Sequence, residues 1–309
     1  MSHPSDAEVL SHITTYEPPP SGFDPLSASH QLLRKHGFPH RPDPDKEPRL
    51  SKLWRDSLSR PLQMIKAELE VDHSRARDSR LRSKQASFGL GGQWAGAQVN
   101  TSSLGFAPTE LANIVYGEWN VPTVKYPKDD PSGFAVGFWV GLDGDFENDS
   151  SQVIQAGTEA ISDGSSVIYR AWTQWPPYQP NAVVIKSFPV APGDRVGVLV
   201  TMPKPDHSFI SIANYTNGYA TSLGITISGA VNDGTSAEWV IEGNGPLLAD
   251  FSSVLFAQCM GGTKDHDFDL TDAFTRQIYA PDGVTALASG YIITSSTVES
   301  VWDLSLIHI

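Results

Sequence analysis

From Phe88 onward the chain offers a single kind of local structure. Short runs rich in Val, Ile, Tyr, Phe and Trp, among them ANIVYGEWNV, GFAVGFWVGL, SVIYRAWTQW, RVGVLVTM and AEWVIEG, alternate with clusters of Gly, Asn, Asp, Ser and Pro. No helical period intervenes, so a parallel α/β sheet is excluded and the pattern predicts an all-β fold, a two-sheet sandwich or a barrel. Seven of the eight Trp fall in this part, which places the large aromatic core there. No repeat of fixed period stands out, and propellers and solenoids are set aside.

The first 88 residues differ in character. They carry 14 Lys and Arg against 12 Asp and Glu, near +2, whereas residues 89–309 carry 8 against 23, near −15. Residues 1–50 are crowded with Pro18, Pro19, Pro20, Pro25, Pro39, Pro42, Pro44 and Pro48 among charges, a composition read as extended or disordered. From Ser51, Leu53, Trp54, Leu58, Leu62, Ile65 and Leu69 recur at three- and four-residue steps, an amphipathic helix interrupted near Pro61 and followed by the basic stretch RARDSRLRSK at 75–84. Three units result: 1–50, 51–88 and 89–305.

Several functions drop out early. A net charge of −13 argues against nucleic-acid binding driven by overall charge. No apolar run reaches the roughly 18 residues of a membrane helix, and the N-terminus lacks the basic start and apolar stretch of a secretory signal. The single Cys259 rules out an intramolecular disulfide and CxxC chemistry. HExxH, GxSxG and GxxxxGK[ST] are missing. The acidic runs Asp143 to Asp149 and Asp265 to Asp269 fail the calcium-loop template and read as solvated loop acids. The nine His are scattered, five of them by His40, and assemble no catalytic triad.

What remains is polar residues set among aromatics in strands. In AEWVIE, the two-residue period puts Glu238, Val240 and Glu242 on one face and Trp239 and Ile241 on the other. The same rule aligns Gln155 with Glu159. Read alone, these are the solvent faces of half-buried strands. Trp172, Trp175 and Tyr178 also allow a second reading, a non-catalytic lectin-like sandwich stacking carbohydrate or binding peptide. A third, an interaction protein working through the 51–84 helix, has only the amphipathic stripe behind it.

Along the chain come Gln93-Trp94-Ala95-Gly96, Glu118-Trp119-Asn120-Val121-Pro122, Trp139-Val-Gly-Leu-Asp143-Gly-Asp145, Val153-Ile-Gln155-Ala-Gly157-Thr-Glu159, Ala171-Trp172-Thr173-Gln174-Trp175 and Ala237-Glu238-Trp239-Val240-Ile241-Glu242. In combination and in this order the motifs resemble those of the glutamic peptidases, or eqolisins, fungal and bacterial acid peptidases with a Gln/Glu dyad on a β-sandwich. The resemblance covers residues 89–305.

It implies an acid-acting endopeptidase on a two-sheet antiparallel β-sandwich, with Gln155 and Glu242 as the catalytic pair and Glu238 as the alternative glutamate. Trp139, Asp143 and Glu159 match residues lining the family's site, and Trp172 and Gln174 fall in its AWxEW strand, with Gln174 and Pro176 replacing a glutamate and an aromatic. The interval from Asp143 to Gln155 is two residues longer than in fungal members. The implied partner is a polypeptide substrate, with no metal, cofactor, nucleic acid or membrane. Export would suit the family, and residues 1–88 are expected to act as an intramolecular inhibitor lying across the acidic groove until acid releases it.

Overall fold

The computed structural model describes residues 4–73, 94–125, 134–144, 152–162, 166–243, 248–280 and 282–303. Gln93, Asp145, Glu147, Asp149 and the basic stretch 75–84 lie outside the described residues. The N-terminal part contains α1 (Asp6–Ser11), β1 (Ile13–Thr15), α2 (His30–Lys35), α3 (Pro48–Leu58), β2 (Gln63–Met64) and β3 (Leu69–Val71). The remainder runs β4 (Trp94–Asn100), β5 (Ile114–Asn120), β6 (Phe134–Asp143), β7 (Val153–Ser162), β8 (Val167–Gln174), β9 (Val183–Ile185), β10 (Arg195–Lys204), β11 (His207–Asn214), β12 (Tyr219–Thr226), β13 (Ser236–Gly243), β14 (Ser253–Gly262), β15 (Asp267–Phe268), β16 (Phe274–Tyr279), β17 (Ala286–Thr294) and β18 (Thr297–Trp302).

The strands form two layers. The front sheet has the order β3-β9-β8-β7-β6-β13-β4-β16, antiparallel throughout. In the back sheet, β1 and β2 both pair with β12, which continues through β11, β10, β5, β14, β18 and β17. β15 pairs with the end of β14, and β16 pairs with β17 to join the layers. This is the antiparallel sandwich that the strand texture and motif order led us to expect.

Alternation along each strand sorts side chains between core and outer face. Val136, Phe138, Val140 and Leu142 of β6 and Ala237, Trp239 and Ile241 of β13 enter the core, as do Val196, Val198 and Val200 of β10. Two of the buried indoles there are hydrogen-bonded: Trp239 Nε1 donates to the Tyr116 carbonyl (2.6 Å) and Trp119 Nε1 to Thr158 Oγ1 (3.1 Å). Each bond spares the buried indole the cost of an unsatisfied N–H.

The N-terminal part departs from its reading in two respects. The helix ends at Leu58 and does not resume beyond Pro61, because a residue before proline is pushed out of the helical region; Gln63–Met64 and Leu69–Val71 are strands. The proline-rich stretch is not extended throughout. It includes α2, capped by the Ser29 hydroxyl, and Arg41 Nη2 donates to the carbonyls of Pro25, Leu26 and Ala28.

The described N-terminal residues dock on the back sheet and on both sheet edges. α3 lies over the outward face of the back sheet, where Leu53 and Trp54 line an apolar cavity of about 250 Å³ with Tyr116, Leu199 and Tyr215. Beside it Arg60 Nη2 donates to Glu118 Oε1 (3.2 Å), and its guanidinium lies 3.8 Å from the Tyr215 ring centre. The buried Glu118 also accepts from Tyr116 Oη (2.7 Å) and Arg195 Nε (2.8 Å). Arg49 pairs with Asp269 at 3.1 Å, so that acid is engaged in docking rather than merely solvated. β1 and β2 cover the edge strand β12 and β3 covers β9, which removes two free edges.

Candidate active site

The outer face of the front sheet is where the polar residues meet. On β13, Glu238 pairs with Gly141 of β6, and Gly141 pairs with Gln155 of β7, which pairs with Gln174 of β8. Paired residues of an antiparallel ladder point to one face, so Glu238, Gln155 and Gln174 form one row. A second row reads Val240, Trp139, Gly157 and Trp172, and a third reads Glu242, Gly137, Glu159 and Arg170. All eight expected site residues therefore lie on strands of one sheet, and the seven other than Asp143 share these three rows.

Glycines make room within the rows. A Cβ on Gly141 would stand 2.8 Å from the Trp139 ring and 3.3 Å from Gln155 Cβ, so the indole edge occupies the place of the missing side chain and floors the space between Gln155 and Glu238. Gly157 is more constrained, since a Cβ there would meet the Phe138 carbonyl at 2.1 Å. Around this floor Trp94, Trp139, Val153, Trp172, Ala182 and Val240 form one apolar cluster, with Trp94 set edge-on to Trp139 at 4.9 Å.

Gln155 stands out energetically. It is fully buried, yet neither its Oε1 nor its Nε2 has a hydrogen-bond partner among the described residues. Such an orphaned amide costs about 1–3 kcal/mol, and a group kept at that expense calls for an explanation. Gln174 is satisfied on one side: its Nε2 donates to the carbonyls of Gln179 (3.2 Å) and Pro180 (3.0 Å), bonds that an ionised glutamate could not donate.

Asp143 acts as a brace. It ends β6 in a left-handed conformation (φ 68°) and is buried, with Oδ2 accepting from the Asp233 N–H (3.0 Å) and Oδ1 from the Thr235 N–H (2.8 Å). These bonds tie the end of β6 to the loop that launches β13 and so hold Glu238 in register. Burial pushes the Asp143 pKa up to about 6.

This geometry bears on two sequence readings. The stacking surface of Trp172, Trp175 and Tyr178 is not formed: Trp172 lies on the site face, whereas Trp175 is buried in the inter-sheet core with Tyr178 packed edge-on against it. Glu242, named ahead of Glu238 by motif position, stands one row beyond Trp139 with Glu159, while Glu238 shares the row of Gln155. Sequence reasoning passed over Arg170, whose Nε donates to Glu159 Oε1 at 2.6 Å. A cation in a strand otherwise facing acids was the available clue.

Comparison with known proteins bears on this site. No curated protein matches the chain. Among the solved structures that share the fold are scytalido-glutamic peptidase, seen with a transition state analog inhibitor, at 22% identity over 69% of this chain and 99% of that one with a TM-score of 0.57, and SCP-B, a member of the eqolisin family seen with the tripeptide Ala-Ile-His, at 22% identity over 69% and 99% with a TM-score of 0.53. The profile of the Peptidase A4 family matches residues 92–302, the span that carries every strand of the three rows, and the chain belongs to that family as a glutamic endopeptidase.

Proposed function

We propose that the enzyme hydrolyses polypeptides in acid by a water that Glu238 activates, with Gln155 stabilising the oxyanion. The observation that carries this reading is the register Glu238–Gly141–Gln155, with the Gln155 amide buried and without a hydrogen-bond partner among the described residues. Two strand spacings separate the pair, about 10 Å between backbones, a gap that two long side chains and one water can span.

The chemistry needs a base, an oxyanion donor and an acid for the leaving amine. An ionised Glu238 takes a proton from water as the oxygen attacks the scissile carbonyl. Gln155 Nε2 donates to the developing oxyanion and, being a neutral amide, stays competent at any acidity. The protonated Glu238 then returns its proton to the amine as the C–N bond breaks. Trp139 and Trp172 shield the site from bulk water, which strengthens the hydrogen bond to the oxyanion.

Three variants test the assignment. Gln155→Ala should lower kcat by about 10²–10³, the usual effect of removing one oxyanion donor. Glu238→Gln should abolish cleavage of a denatured protein at acid pH, and Glu242→Gln should leave measurable turnover. An inactive Glu242→Gln beside an active Glu238→Gln would return the base to Glu242.

The N-terminal residues are proposed as the enzyme's internal inhibitor. The support is that β3 extends the front sheet itself and that Asp72, next in the chain, forms an ion pair with Arg170 on the site face. A chain starting at Phe88 that is no more active than the full chain would sink this part of the proposal.

A further inference from the structure

Arg170 has no part in the mechanism just given, yet it occupies the site face with both of its sides engaged. One side is fixed within the enzyme domain, where Nε donates to Glu159 Oε1 at 2.6 Å. From the other, Nη2 donates to Oδ2 of Asp72, a residue of the N-terminal part. Both carboxylates hold the guanidinium charged against the opposing effect of burial.

Asp72 arrives in the manner of a bound peptide. Leu69, Glu70 and Val71 run antiparallel to Ile185, Val184 and Val183, and the Asp72 N–H extends that ladder to the Ala182 carbonyl at 2.9 Å. Without β3, β9 is a free edge of the sheet that carries Gln155 and Glu238. Main-chain pairing at such an edge supplies affinity whatever the sequence, and specificity comes from the side chains set down beside it. Here that side chain is a buried carboxylate on a planar fork whose other side Glu159 already orients.

We propose that Arg170 is a substrate-binding residue that receives a peptide carboxylate, and that Asp72 is its internal occupant in the intact chain. The inference rests on the peptidase reading of this face. It also assigns a use to a cation on a domain with a charge near −15, where an acidic peptide would otherwise be repelled by Glu159, Glu238 and Glu242.

The test uses the full chain with Asp72→Ala, and Asp72→Asn as a second variant that keeps the shape of the side chain should the first fold poorly. Fluorescent peptides in three forms are titrated by anisotropy at pH 6: one with an internal Asp and an amidated end, its Asn twin, and the Asn twin with a free C-terminal carboxylate. Each sample is then checked for cleavage by mass spectrometry. Vacating the site should tighten binding of a carboxylate peptide at least tenfold over the amidated Asn twin. Which carboxylate gains identifies side chain or terminus as the source. Adding Arg170→Gln should erase the difference, and Arg170→Lys should keep part of it. Equal affinity for all three peptides after Asp72 is removed, or a preference that survives Arg170→Gln, overturns the proposal. Preference without any cleavage at acid pH would uphold Arg170 and count against the catalytic reading, so the two fail separately.

Discussion

Replacing Asp143 with Asn probes the buried carboxyl that ties β6 to the start of β13. Burial raises its pKa from 3.8 to about 6, and the hydrogen bond from the Thr235 N–H offsets only part of that rise. Between those values the folded chain keeps a proton that the unfolded chain has released. The stabilisation is therefore complete below about pH 3.8 and is lost as the pH climbs through about 6. A difference of about 2 pH units corresponds to about 3 kcal/mol, or about 5 °C in Tm for a chain of this size. Urea unfolding of both proteins from pH 4 to pH 7 reads it directly. Asn cannot titrate, and it also turns an N–H₂ toward a backbone donor, which lowers stability by an amount independent of pH. The advantage of the native chain over the variant should thus shrink by about 3 kcal/mol as the pH rises. A gap that stays constant, or widens toward neutrality, would refute the placement of a neutral carboxyl at this brace.

Other consequences can be checked in parallel. Gly157→Ala pushes a Cβ to within 2.1 Å of the Phe138 carbonyl and should abolish activity by displacing Gln155 while costing at least 1–3 kcal/mol in urea unfolding. Arg60→Ala leaves the buried Glu118 with Arg195 and Tyr116 but without its partner on the N-terminal part; we expect a loss of about 1–3 kcal/mol and faster proteolysis of residues 4–73. Peptidase activity should follow a bell within the acidic range, rising as the base ionises and falling as a second carboxyl on the face loses its proton, and a pH profile peaking well above neutrality would contradict it. Cleavage within 75–84 should raise turnover at acid pH, as measured on a nicked sample against the intact chain.

Much of this protein was legible as a string. Strand texture from Phe88 onward dictates a sandwich or a barrel because two-residue alternation gives each strand one apolar face, and paired sheets or a closed sheet bury those faces together. The same alternation places Glu238 and Glu242 on one side of β13 and Gln155 and Glu159 on one side of β7, since that much is local geometry. Register is not local. Which glutamate stands opposite Gln155 depends on how β13 slides along β6, and that is set by the Asp143 brace and by Trp139 filling the space above Gly141. The stripe through Leu62, Ile65 and Leu69 misled for a related reason: after Pro61, Gln63 to Ile65 and Leu69 to Val71 satisfy backbone groups on the β12 segment and on β9, partners more than a hundred positions away that no window of sequence contains. Asp72 meeting Arg170, and Arg60 meeting Glu118, belong to the same class, because an ion pair between distant residues exists only once two sheets have brought their edges and faces within reach.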